Sequence, residues 1–361
     1  MYHAIELNFL NPIYVLPKLN EAGIDGEIEP EEIKKIIEEH QDIKLIVITS
    51  PTYEGVISNI KEITKIAHSY SIPVLVDEAH GAHLNFVEKL KEKEALNAGA
   101  DIVIQSLHKT LPALTQTAIM HCQGKLVEED EIQRQLAIFQ TSSPSYILMA
   151  SIDECLTILQ KEGKELFEQY ENNLKEFYKQ AQNLKKLKIL GNLINKTSNY
   201  DIGKIVVITE NTNINGKMLA KILREQYKIE TEMANTNYVI AMTSICDKKE
   251  NFERLIEALK KIDGKIEYCQ KGQKSISRII PKKGTSIKKI ENSTESKFVN
   301  YKETSGKVIE EYIWIYPPGI PIIAPGEIMT GRIIKLIEDK VNANIEVYTS
   351  FGEFPNIKIE L

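Results

Sequence analysis

No uninterrupted apolar run in this sequence reaches the roughly 18 residues that span a bilayer. The N-terminus, Met1 to Leu10, lacks the cationic stretch and apolar core of a signal peptide. Membrane insertion and secretion are therefore not expected, and the expected compartment is the cytoplasm. Cysteine is scarce: Cys122, Cys155, Cys246 and Cys269 lie far apart and form no CxxC pair, which suits reduced thiols and offers no zinc framework. Cys122 and Cys246 each follow an apolar run and read as core packing. An excess of positive charge is also missing, and the net charge of −6 argues against nucleic-acid binding. The run Asp77-Glu-Ala-His80 spells a helicase signature, but no GxxxxGK[ST] phosphate loop precedes it, so that class is set aside. His80 and His83 have no third ligand placed by the sequence, so no metal is expected. His40, His68 and His121 read as surface or satisfied histidines. There is no internal repeat or low-complexity tract.

What is present is a globular composition, 42% apolar and 27% charged over 361 residues, enough for two or three domains. Leu45-Ile-Val-Ile-Thr49, Pro73-Val-Leu-Val-Asp77 and Asp101-Ile-Val-Ile-Gln105 are short continuous apolar runs of the kind that form strands buried on both faces. Helical spacing fills 57–70 and 87–98 between them, so the strands are expected to lie parallel, with helices on both faces. Thr117 to His121 adds a further strand. Residues 145–190 carry one or two long helices. Strand and helix then alternate at 203–209, 216–227, 237–243 and 249–262, a second α/β unit. The Lys- and Ser-rich stretch 264–305 reads as a solvated linker with short extended pieces. Beyond it come a strand at 312–316, a turn-rich loop through Gly326 fixed by proline and glycine, and a helix at 329–341. The expected domains are 1–155, 156–263 and 264–361.

Ligands of open α/β sheets sit beyond the carboxyl ends of the strands. Two polar clusters fall there, Asp77-Glu-Ala-His-Gly-Ala-His83 and Ser106-Leu-His-Lys109-Thr110, and consecutive strands make them neighbours. An imine-forming pyridine cofactor needs a lysine amine, a carboxylate facing the ring nitrogen, and hydroxyl and imidazole donors for its phosphate. Lys109, Asp77, Ser106 and His108 supply those types, and His80 lies close enough to Asp77 to reach the ring or a substrate carboxylate.

These two runs, together with Thr141-Ser-Ser-Pro-Ser145 and Tyr316-Pro-Pro-Gly-Ile-Pro321, resemble the ornithine/lysine/arginine decarboxylase family of fold-type-I pyridoxal-phosphate enzymes, most closely its shorter bacterial, arginine-decarboxylase-like members. The resemblance covers essentially the whole chain. It implies an aminotransferase-like, mainly parallel sheet domain plus a smaller C-terminal α/β domain. It implies pyridoxal 5'-phosphate on Lys109, with Asp77 at the pyridinium nitrogen, His80 beside the ring and Ser106 and His108 at the phosphate. Thr141 and Ser142 reach a phosphate, across a dimer interface. The substrate implied is a small basic amino acid, arginine before lysine or ornithine, and the assembly a homodimer or higher. Family members carry a further N-terminal stretch with a phosphate loop and a ring-stacking histidine. His3 falls close to that histidine but at a different position. The expectation is a truncated cofactor domain, completed by a separate N-terminal fragment or catalytically impaired. An aminotransferase or aldolase of the same fold is the remaining alternative.

Overall fold

The computed structural model describes residues 2–20, 23–193, 199–269, 279–285, 296–316, 319, 321–342 and 345–360. They form two compact units, Met1–Tyr14 with Lys274–Leu361, and Val15–Gln273. Helix α1 (Tyr2–Leu7) belongs to the former.

The larger unit begins with α2 (Pro30–Glu39), β1 (Ile46–Thr49), α3 (Ile60–Ser69), β2 (Val74–Asp77), β3 (Ile102–Ser106), α4 (Leu107–Thr110) and β4 (Ala118–Cys122). The sheet order is β1-β2-β3-β4. The first three strands run parallel, with Thr49 opposite Asp77 and Asp77 opposite Ile104. The fourth is antiparallel, pairing Ser106 with Ala118, because the 107–117 connection is too short for a crossover. Ile46, Ile48, Val74, Val76 and Val103 bury one face of the sheet against Ile33 and Ile37 of α2 and Ile60, Ile63 and Ala67 of α3. Asn59 starts α3 by accepting the Glu62 N–H at 3.2 Å, an N-cap of the usual kind.

The helix expected at 87–98 does not form. Two single 3₁₀ turns, Leu84–Phe86 and Lys91–Lys93, stand near it instead. Side chains take the backbone donors that a helix would use internally: Glu78 accepts the Ala95 N–H at 2.9 Å, and Glu94 accepts those of Leu96 and Asn97 at 3.2 and 2.9 Å.

Helices α5 (Glu129–Phe139) and α6 (Tyr146–Ala181) follow. The stretch read as one or two helices contains a single helix of 36 residues, started by Ser145, whose hydroxyl accepts the Leu148 N–H at 3.4 Å. From Cys155 onward α6 buries a residue every three or four positions against α9 (Lys249–Lys265) and a second sheet. That sheet has the order β5-β6-β8-β7 and is antiparallel throughout. It comprises β5 (Lys188–Ile189), β6 (Lys204–Ile208), β7 (Met233–Ala234) and β8 (Tyr238–Met242), with α7 (Leu190–Leu193) and α8 (Gly216–Tyr227) between strands. Two cysteine readings are corrected: Cys122 and Cys246 are exposed, one ending the edge strand β4 and the other in the turn after β8, while Cys155 is buried.

The smaller unit contains β9 (Lys282–Lys283), β10 (Ser296–Asn300), β11 (Ile313–Ile315), β12 (Pro321–Ile323), β13 (Glu327–Ile328), α10 (Gly331–Asn342), β14 (Val347–Thr349) and β15 (Asn356–Glu360). Its core joins Ile333 and Ile337 of α10 to Ile309, Ile313, Ile357 and Ile359. Pro317, Pro318 and Ile320 of the proline-rich run lie outside the described residues, as do 270–278 and 286–295 of the expected linker.

Candidate active site

The carboxyl ends of β2 and β3 carry the two polar clusters. Past β2 the chain turns sharply: Asp77 accepts the Ala79 N–H at 3.1 Å, and the Gly81 N–H donates to the Glu78 carbonyl at 2.8 Å. A Cβ at Gly81 would lie 2.5 Å from Glu78 Cγ and 2.7 Å from Pro51 Cδ, so glycine is what allows the turn to pack under the loop that follows β1. His80 is thereby buried, with its ring centroid 4.5 Å from that of Tyr53 on the same loop. Lys109 stands on α4, immediately past β3, and its Nζ lies 3.2 Å from His80 Nε2. The expected neighbourhood of the two clusters is therefore real at this contact.

Ser106 is half-buried at the end of β3. His108 donates from Nδ1 to the Thr117 carbonyl at 2.8 Å, which fixes the orientation of its ring. Thr141 and Ser142 are exposed in the loop after α5. The Thr141 hydroxyl accepts the Ser143 N–H at 3.2 Å, and among the described residues neither side chain has a hydrogen bond to the Lys109 cluster. His68 and His121 are satisfied as expected, by Asp101 at 2.9 Å and Gln105 at 3.2 Å.

Burial, then the positive charges of Lys204 and Lys109, hold His80 down at about 2. The ring is therefore neutral, an uncharged donor and acceptor beside the Lys109 amine. Among the described residues its Nδ1 is buried without a partner, as is Thr110 Oγ1.

Residues from the second sheet complete the site, and the sequence reading passed over them. Val56 bridges to Tyr200, and the Asp201 N–H donates to the Gly55 carbonyl at 2.8 Å. This joins the loop after β1 to the entrance of β6 and delivers two charged side chains. Asp201 Oδ2 lies 3.1 Å from His83 Nε2, both deeply buried. Burial alone would raise the Asp201 carboxyl, but His83, Lys204 and the Gly203 N–H bring it down to about 2. Lys204 is only 1% exposed. One signal was available: Lys204 directly precedes the all-apolar run Ile205-Val-Val-Ile208, and it is buried with that strand.

On the other side of the same strand tips, Gln105 Nε2 donates to Glu78 Oε2 at 2.6 Å and approaches Glu94 Oε1 at 3.2 Å. Burial, followed by the Glu94 charge, raises the Glu78 carboxyl to about 9 against the opposing hydrogen bonds from Gln105 and Ala95. Glu78 is thus held as the neutral acid.

Residues 1–202 match the model of the Orn/Lys/Arg decarboxylase major domain, and 278–346 match that of the Orn/Lys/Arg decarboxylase C-terminal domain. The arginine decarboxylase of Bacillus subtilis (strain 168) is 33% identical over 344 residues, covering 93% of this chain and 70% of that protein. The arginine decarboxylase of Bacillus anthracis is 33% identical over 351 residues, covering 95% of this chain and 71% of that protein. Among solved structures, the constitutive lysine decarboxylase of Escherichia coli superposes over 100% of this chain with a TM-score of 0.82 at 17% identity. This chain spans 65% of that structure's length, and the likeness speaks for the fold alone. With the four sequence runs, the α/β fold and both family matches in agreement, the chain belongs to the Orn/Lys/Arg decarboxylase family and is, by family, a decarboxylase of the fold-type-I class.

Proposed function

We propose that this chain decarboxylates a basic amino acid, arginine before lysine or ornithine, with pyridoxal phosphate held at Lys109. One observation carries the reading: the Lys109 amine stands 3.2 Å from His80, three residues past Asp77, across two adjacent parallel strand tips. The residues present fit the cofactor. An amine, a carboxylate, a hydroxyl and an imidazole stand at Lys109, Asp77, Ser106 and His108 around two adjacent strand ends, and among the described residues His80 Nδ1 and Thr110 Oγ1 are buried polar atoms without a partner.

When bound, the cofactor supplies an electron-withdrawing ring that takes up the electron pair released as carbon dioxide leaves. Lys109 holds the cofactor and then returns a proton to the substrate Cα from its Nζ. Asp77 keeps a proton on the ring nitrogen through its negative charge. His80, neutral and between Tyr53 and Lys109, would stand close to the ring and help exclude water. Ser106 and His108 take the phosphate oxygens, and Thr141 and Ser142 reach a phosphate from a neighbouring subunit of a homodimer. The enzyme works in the cytoplasm. Removing the lysine tests the assignment: Lys109→Ala loses turnover, and borohydride no longer fixes the cofactor to the chain. Fixation at unchanged stoichiometry would overturn it.

A second reading, a chain that acts only with a partner chain, is favoured by β4. Among the described residues this strand pairs with β3 alone, Ala118 and Cys122 are exposed, and α5 buries no residue. Cofactor titration of the purified chain separates the two: saturable binding supports the first reading, and binding only after a partner is added supports the second.

A further inference from the structure

We propose that Tyr53 and Glu232 are positioning residues of this site: Glu232 fixes the Tyr53 hydroxyl, and the Tyr53 ring keeps the His80 imidazole turned toward Lys109. What that imidazole does in the reaction rests on the function proposed above; the arrangement itself rests on geometry.

Residues Thr52 to Val56 form a closed turn after β1. The Thr52 N–H donates to the Val56 carbonyl at 2.8 Å, and the Gly55 N–H to the Thr52 carbonyl at 3.0 Å. The two central side chains of the turn bond to the second sheet in opposite senses. The Tyr53 hydroxyl donates to Glu232 Oε1 at 2.8 Å, while Glu54 Oε1 accepts the Tyr238 hydroxyl at 2.6 Å. Glu232 directly precedes β7, and its N–H donates to the Ile240 carbonyl of β8 at 2.8 Å. The acceptor therefore stands on a regular element, and its charge-assisted bond sets where the phenol points.

That direction matters because of what lies against the ring. The Tyr53 and His80 ring centroids are 4.5 Å apart, with the planes tilted by 54°. Among the described residues the His80 ring has one hydrogen bond, between Nε2 and Lys109 Nζ at 3.2 Å, and its Nδ1 has no partner. An imidazole held at one atom can swing about that atom, and a fixed neighbouring ring removes the freedom. Supporting contacts of this kind set the geometry of groups that react. Tyr53 is half-buried and Glu232 exposed, so either can be changed without opening a core.

The test reads the His80 ring in the cofactor-free chain, by nitrogen NMR of protein labelled at histidine. A ring fixed in one tautomer gives two well-separated nitrogen signals, and a ring that exchanges tautomers gives signals that converge. Wild type should show a separated pair, assigned by its loss in His80→Gln. Tyr53→Phe and Glu232→Ala should bring the pair together and raise the dissociation constant for pyridoxal phosphate by about 3- to 10-fold, the loss of one hydrogen bond. Glu232→Gln keeps an acceptor for the hydroxyl and should recover the separation and most of the affinity. Tyr238→Phe cuts the other bond of the same turn and should leave both readings as in wild type. Thermal melting establishes that each variant is folded, and the contact is cut from both sides so that one folded variant suffices. Converged signals in wild type, or separated signals in the folded Tyr53→Phe and Glu232→Ala chains, would overturn the proposal. Equal losses in Tyr238→Phe would do the same, by making the pinned turn rather than the Tyr53 ring the cause. So would a Glu232→Gln chain as impaired as Glu232→Ala, which would show the Glu232 charge acting directly. A wild type that shows the separated pair but takes up no pyridoxal phosphate would instead bring down the proposed function and leave this arrangement standing.

Discussion

Glu78 and His80 are separated by one residue and titrate in opposite senses. Glu78, raised by burial from 4.5 to about 9, keeps a proton that the unfolded chain releases above pH 4.5. Its contribution to stability is complete below that pH and is lost as pH rises toward 9. His80, lowered by burial from 6.5 to about 2, refuses a proton that the unfolded chain takes up below pH 6.5. Its contribution is complete above 6.5 and is lost as pH falls toward 2. Each uncompensated proton tilts stability by about 1.4 kcal/mol per pH unit, so the two slopes oppose one another between 4.5 and 6.5. Glu78→Gln retains the neutral shape and removes only the first slope. Relative to wild type, its urea midpoint should climb steadily from pH 4.5 to 9. A constant difference across that range would show that Glu78 is not buried as the neutral acid.

At the scale of elements, the segment 78–98 shows how side chains can overrule periodicity. Its apolar residues recur at helical spacing, and Leu84, Val87, Leu90, Ala95 and Ala98 are all buried. Yet Glu78 and Glu94 draw the backbone donors of 95–97 away from a helix. The bond from Ala95 to Glu78 links positions 17 apart in sequence and leaves no periodic trace. By contrast β1 to β3, α8 and α9 follow the expected spans closely, because their apolar spacing is local. Gly81 is where this segment and the site depend on each other. Gly81→Ala places a methyl 2.5 Å from Glu78 Cγ, 2.7 Å from Pro51 Cδ and 3.0 Å from Leu84 Cδ1, an overpacking that costs about 1–3 kcal/mol. The same shift moves His80, so the variant should lose both thermal stability and cofactor affinity. Full affinity in a destabilised variant would separate the turn from the site.

At the scale of the whole molecule, the apolar surface is unevenly spread. Phe139 at the end of α5 is 75% exposed, and Tyr146 at the start of α6 is 79% exposed. Ile138 and Ile147 beside them are also exposed, and Thr141 and Ser142 lie between. Contiguous exposed apolar patches mark interaction surfaces, in keeping with the homodimer proposed above. Introducing charge by Phe139→Asp together with Ile147→Asp should shift sedimentation toward the monomer. It should also weaken cofactor binding if Thr141 and Ser142 act across the interface. An unchanged sedimentation coefficient would place the dimer contact elsewhere.

The sequence by itself determined the order of strands and helices, the two strand-end clusters and the family, because apolar periodicity and short contiguous motifs are local properties of the chain. It led to the expectation of Asp77, His80, Ser106, His108 and Lys109 as a group, since consecutive strands place their tips side by side. Only the tertiary structure decided that β4 runs antiparallel, that the 87–98 stretch is not a helix, and that Asp201 lies against His83. The last of these depends on the docking of the loop after β1 onto the entrance of β6, a contact between residues 144 apart in sequence, from Val56 to Tyr200, which no local pattern encodes.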